Sequence, residues 1–143
     1  MPLSYEIDAK RRLVLVEYWG RAGIDESAEM FGKYAADPNF APGQIHLFDL
    51  RRVTEVEQNF PKFMQFQAEA ASAVAPEAMP SMLVYYSPTE LARRMAEMVR
   101  KSWDGLDGPT LAIIEDEAEA LAVAGCTEKS FDELKRTLAS DPA

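Results

Sequence analysis

The sequence predicts a single α/β domain with a mostly parallel sheet of about five strands. A leading antiparallel hairpin strand precedes four strand–helix turns, and helices pack on the sheet. Three observations predict it. Strand-like and helix-like apolar periods alternate in the order β-β-α-β-α-β-α-β-α-α. The later strand segments are almost continuously apolar, as strands covered on both faces are. The chain of 143 residues is long enough to bury one sizeable core.

Each element has its own warrant. LSYEID (3–8) and RLVLVEYW (12–19) are joined by three residues, which implies an antiparallel hairpin. Gly20 and Gly23 break the strand pattern. Asp25 is a candidate cap for a helix over 26–37, with Ile24, Ala28, Phe31 and Ala35 on one stripe. Asp37-Pro38-Asn39 stops that helix, and Pro42-Gly43 turns the chain. QIHLFDL (44–50) is the next strand. A helix runs from about Asn59 to Ala75 and ends at Pro76. PSMLVYYS (80–87) is a strand without clean alternation. The helix over 88–103 has Ser87 as its cap, Pro88 at its first position and Glu90 three residues after the cap, with Leu91, Met95, Met98 and Val99 on its apolar face. TLAIIE (110–115) is the last strand. Asp116 and Glu119 open a short helix stopped by Gly125, and a final helix over 128–139 carries Phe131, Leu134 and Leu138. Residues 126–143 read as a C-terminal helical extension of the one domain.

Composition narrows the function. The net charge is −9 and the pI about 4.6, so the surface repels nucleic acid unless basic residues cluster. Lys10-Arg11-Arg12 and the helical set Arg93, Arg94, Arg100 and Lys101 read as solvated faces without interleaved aromatics. No apolar run reaches the roughly 18–20 residues of a membrane span, and the start has no secretory signal. The single cysteine, Cys126, reads as a small buried or loop thiol, and a reducing cytoplasm is the expected compartment. Glycine-rich phosphate loops, nucleophile elbows and zinc cysteine pairs are absent from the sequence, so no catalytic residue, metal or cofactor is expected. His46 reads as a satisfied core or edge histidine beside Phe48 on one strand face, and Trp19 and Trp103 as packing residues.

The order of elements, the hairpin YEIDAKRRLVLVEYWG, the ADPNFAPG connection and the motif Phe48-Asp49-Leu50-Arg51-Arg52-Val53-Thr54 resemble the SpoIIAA-like group. These are the STAS-type domains of anti-sigma-factor antagonists and their SEC14-like relatives, and the similarity covers roughly residues 3–125. The resemblance implies a regulatory fold in which a phosphorylatable serine opens the helix after this strand. Here Gln58 takes that serine's position, with Glu57 before it and Phe60 where glycine would stand. Gln58 cannot accept a phosphate, and no serine or threonine lies between Thr54 and Ser72. The resemblance therefore implies a switch fold that has lost its switch.

Two functions follow as expectations. The first is a non-catalytic STAS-like regulatory or interaction module, acting through a protein partner or self-association as a homodimer. The alternative is a carrier or sensor of a small lipophilic or anionic ligand. It would bind near the strand carboxyl ends, where open α/β sheets collect ligands. Arg51, Arg52, Thr54 and Ser87 are the polar candidates there, since arginine grips carboxylates and phosphates. Phe63 and Phe66 are the apolar candidates, from a helix in which Phe60, Phe63, Met64 and Phe66 fall within two turns. At about 100° per residue they cover more than one narrow stripe. The structural alternatives are that Asp49 accepts bonds from the following turn, that Arg51 and Arg52 pair with Glu55, Glu57 or other acids, and that the phenylalanines are core.

Overall fold

The computed structural model describes residues 3–73, 78–104 and 108–140. The elements are β1 (Leu3–Asp8), β2 (Leu13–Ala22), α1 (Ile24–Ala35), β3 (Ile45–Val56), α2 (Phe60–Ala73), β4 (Met82–Tyr86), α3 (Glu90–Ser102), β5 (Thr110–Ile114), α4 (Glu117–Val123) and α5 (Phe131–Ser140). The α/β class is as the periodicity predicts. The sheet order is β1-β2-β3-β4-β5, with β1 antiparallel to β2 and the other pairs parallel. The predicted helix end at Ala75 and Pro76 lies outside the described residues.

This order decides the layers. Each crossover from β2 to β5 steps one strand in the same direction, so right-handed connections put α1, α2 and α3 on one face. Val14, Val16 and Tyr18 of β2, Leu50 of β3, and Leu83 and Tyr85 of β4 meet Ile24, Tyr34, Phe63, Met95 and Val99 there. The alternate residues Leu13, Leu15, Leu47 and Val84 face the other way, against Ala120, Leu121, Phe131 and Leu134 of α4 and α5. The C-terminal helix thus covers the second sheet face.

The structure corrects several expected boundaries. β2 does not stop at Gly20 but runs to Ala22, and β3 runs through Arg51, Arg52 and Thr54 to Val56. The two strands support each other beyond the expected ends, with register shifts between Glu17 and Trp19 and between Gly20 and Arg21. At both shifts the extra residue lies in β3, and on the facing strand Gly20 sits at φ 69°, a left-handed backbone that glycine adopts without steric cost. The first shift restores Val53 to the core face after Leu50. The stretch after Asp49 is therefore bulged strand rather than turn.

The caps also move. Gly23, not Asp25, is the N-cap of α1, and the Ile24 N–H donates instead to Glu57 Oε1 at 2.9 Å. Thr89, not Ser87, caps α3, accepting from the Ala92 N–H at 3.1 Å. Ser87 is still held in the sheet, its N–H on the Ile114 carbonyl at 2.8 Å. Asp116 caps α4 as expected, accepting from the Glu119 N–H.

Two residues read as ordinary surface or packing behave otherwise. Arg11 is no solvated turn residue: its guanidinium makes a two-pronged bond to buried Glu128 at 3.0 and 2.9 Å. That pair joins the β1–β2 turn to the segment leading into α5, and holds the Glu128 carboxyl down at about 2. Trp19 is 41% exposed rather than packed, because it sits where the β2–β3 register slips.

Candidate ligand cavity

An apolar cavity of about 160 Å³ lies between the sheet and the layer of α1, α2 and α3. Its floor comes from inward strand positions, among them Val14, Val16, Tyr18, Phe48, Leu83 and Tyr85. Its walls come from Met30, Phe31 and Tyr34 of α1, Phe63, Phe66, Ala70 and Ala71 of α2, and Met95, Met98 and Val99 of α3. The local cause is readable. After its phenylalanines α2 continues as QAEAASA, and alanine side chains are too short to reach the sheet. The methionines in this lining are adaptable fillers rather than rigid packing. The volume is close to the ~150 Å³ of an engineered apolar cavity that takes up benzene.

One end is polar and internally satisfied. The Tyr34 hydroxyl donates to Gln44 Oε1, which also accepts the Ala41 N–H at 3.2 Å, while Gln44 Nε2 donates to the Asn39 carbonyl. His46 Nε2 lies 3.1 Å from the Tyr34 oxygen. Since the one Tyr34 proton is committed to Gln44, His46 must donate there, which assigns it as the Nε2–H tautomer. Burial pushes its pKa down to about 4, so the ring is neutral near pH 7. Tyr5 closes this end, donating to Asp37 Oδ2 at 2.8 Å, and burial with that bond raises it to about 12.

The other polar groups are few. Tyr18 meets Ser27 Oγ at 2.8 Å, and Ser27 donates to the Gly23 carbonyl. Gln67 donates to Ser102 Oγ at 2.9 Å. Glu57 stands at the edge, held by the Ile24 N–H and by Lys62 Nζ at 3.3 Å, which with the nearby Arg21 keep its carboxyl below the usual range. Trp103 Nε1 on this lining is buried without a hydrogen-bond partner among the described residues. The Tyr85 hydroxyl, on a ring that is 5% exposed and stacks on Phe48 at 4.2 Å, has none among them either but is not fully enclosed.

The structure separates the site residues expected from sequence. Phe63 and Phe66 line this cavity and touch each other, with ring centroids 6.2 Å apart. Arg51, Arg52, Thr54 and Ser87 do not line it. Arg51 turns to the opposite face and is occupied by three acids: Asp49 at 3.1 Å, Asp132 at 3.1 Å and Glu117 at 3.6 Å. Its guanidinium also lies 5.8 Å from the Phe131 ring centre. Arg51 thus pairs with acids, as expected, but with these three rather than with Glu55 and Glu57, which face Arg21. Asp49 accepts the Arg51 N–H at 3.1 Å, and burial raises its carboxyl against that pull. Arg52 and Thr54 are exposed, and Ser87 is buried with its hydroxyl on the Tyr85 carbonyl. Gln58 is exposed just before α2.

Sequence reasoning missed the tyrosines. Tyr18 shares the parity of Val14 and Val16, and Tyr85 that of Leu83, so both face the core. A core-facing tyrosine needs a partner for its hydroxyl. That requirement is the signal in the sequence that a polar feature lies under the helices. Among the described residues no helix is long and apolar enough to cross a membrane, and no three His, Cys, Asp or Glu side chains gather as metal ligands. The chain matches no protein-family model and no curated protein, which leaves this geometry as the ground for a functional reading.

Proposed function

We propose that the protein is a non-catalytic carrier or sensor of a small lipophilic molecule held between the sheet and α1–α3. The observation that carries this is the aromatic- and methionine-lined cavity of about 160 Å³. A close-packed interior has few voids larger than a water molecule, and a module acting only through its surface gains nothing from one of this size. Convergent elements supply the lining: four strands and three helices surround one space, as in small-molecule sites generally.

Native mass spectrometry of the full chain, purified gently from its producing cell, tests this. The expected result is an adduct released as a small apolar molecule on denaturation. Thermal unfolding with ethylbenzene, indole and acetophenone should give a midpoint rise of about 5–10 °C at a hundredfold excess over Kd. A clean chain mass together with unmoved midpoints across that panel overturns the reading.

One observation supports a regulatory surface as a second reading. Gln58 borders a shallow depression lined by Leu91, Arg94, Glu97 and Lys101. In that case Arg94→Glu with Lys101→Glu should abolish capture of a protein partner while leaving the cavity's response to ethylbenzene unchanged.

A further inference from the structure

We infer that the cavity selects a neutral, mostly apolar molecule carrying a hydrogen-bond acceptor, a carbonyl or hydroxyl oxygen, set against the Tyr85 hydroxyl. This deepens the carrier reading and rests on it.

Two observations carry the inference. The first is an unused donor that faces the cavity. Tyr85 is 95% buried, taking 5% exposure from the whole, and it lines the cavity. Its ring is fixed against Phe48, parallel to within 5°. An apolar occupant that excludes water from this hydroxyl leaves it unpaired, which is unfavourable. A ligand oxygen in the cavity removes that cost, whereas a hydrocarbon of the same size does not. The neighbouring tyrosine cannot substitute. Tyr18 is engaged with Ser27 Oγ, whose own proton goes to the Gly23 carbonyl, so the Tyr18 proton is the one between them.

The second observation concerns charge. No lysine or arginine is among the described residues lining the cavity. His46 is neutral and already donates to Tyr34. Glu57, the ionised group at the edge, is negative. A carboxylate or phosphate entering this space would lose its water and meet no cation, which is prohibitive. The anionic class expected from Arg51 and Arg52 is therefore disfavoured here, since Arg51 is saturated by acids on the opposite face. What remains is a compact neutral molecule with an oxygen acceptor, such as a small aryl ketone, phenol or alcohol. The other tyrosines are already spent, Tyr34 on Gln44 and Tyr5 on Asp37, while Trp103 Nε1, buried without a partner among the described residues on the same lining, offers a donor to a second ligand oxygen.

The test compares three probes of one shape, acetophenone, ethylbenzene and benzoate, titrated into the full chain and into Tyr85→Phe. Binding is read from amide chemical shifts. In the unaltered protein acetophenone should bind most tightly and benzoate at least tenfold more weakly. In Tyr85→Phe the ratio of acetophenone to ethylbenzene affinity should fall about fivefold, with ethylbenzene affinity unchanged or higher. The Tyr85 ring-carbon resonance next to oxygen should move with acetophenone and stay with ethylbenzene, which tests the contact even if the variant folds poorly. An equal ratio in the two proteins, or benzoate binding as well as acetophenone, overturns the inference while leaving the carrier reading intact. Failure of all three probes to bind the unaltered chain strikes the carrier reading itself.

Discussion

His46 shows how much a single buried side chain can shape behaviour. Its ring packs edge-on against Tyr34 at 5.0 Å and tilted against Phe48 at 6.2 Å, with its one N–H spent on Tyr34. Burial lowers its pKa from 6.5 to about 4. In the unfolded chain the ring takes up a proton near pH 6.5, so the unfolded state binds more protons between the two values. Stability is then full above pH 6.5 and falls as pH drops toward 4, by on the order of 3 kcal/mol. Glu128 acts in a lower window. Arg11 depresses it from 4.5 to about 2, so its contribution is lost only as pH falls from 4.5 through 2. Urea unfolding at pH 7, 5.5 and 4.5 should show most of its loss above pH 4.5. His46→Phe should flatten that slope, and Glu128→Gln should leave it unchanged while lowering stability at pH 7. A flat profile between pH 7 and 4.5 in the unaltered protein would refute the assignment.

At the scale of elements, what could be read from the chain was what is local. The order and kind of every strand and helix follow from periods of two and 3.6, because each element shows its own face in its own residues. Boundaries that depend on a distant partner were not legible. β3 continues past Leu50 only because β2 continues past Trp19, and neither extension is favoured without the other. The N-terminus of α1 is capped by Glu57, a residue more than thirty positions away. Likewise the acids that occupy Arg51 come from α4 and α5. Phe63 and Phe66 were legible as an apolar cluster, but whether they border packed core or open space depends on the alanines beside them and the tyrosines beneath. The cap of α3 was displaced by two residues because the Ile114 carbonyl keeps Ser87 in the sheet. This gives a sharp expectation. Thr89→Ala should cost about 1 kcal/mol and Thr89→Ser only a few tenths, measured by urea unfolding. Ser87→Ala should leave protection of the Ala92 amide against hydrogen exchange unaltered, whereas Thr89→Ala should lower it.

The whole molecule is asymmetric about its sheet, and the two faces should answer mutation differently. Under α4 and α5 the packing is complete: Phe131 and Leu134 have no exposure and meet Leu47 and Val84, also fully buried. Phe131 further stacks on Tyr86 at 5.2 Å and supports the Arg51 guanidinium. Truncating it opens a hole that rigid neighbours cannot fill, so Phe131→Ala should cost about 3–5 kcal/mol. Under α1–α3 the cavity leaves room. Ala71→Leu adds three carbons where about 160 Å³ is available, so overpacking strain should be small. The added side chain buries apolar surface without displacing a neighbour, and stability should stay level or rise by about 1 kcal/mol. The same substitution should reduce ethylbenzene binding at least tenfold, because it occupies the space the probe needs. Chemical denaturation and probe titration on the two variants decide the point. Comparable destabilisation of the two would mean that both faces are packed alike, and the cavity could not then hold a ligand without rearrangement of the helices above it.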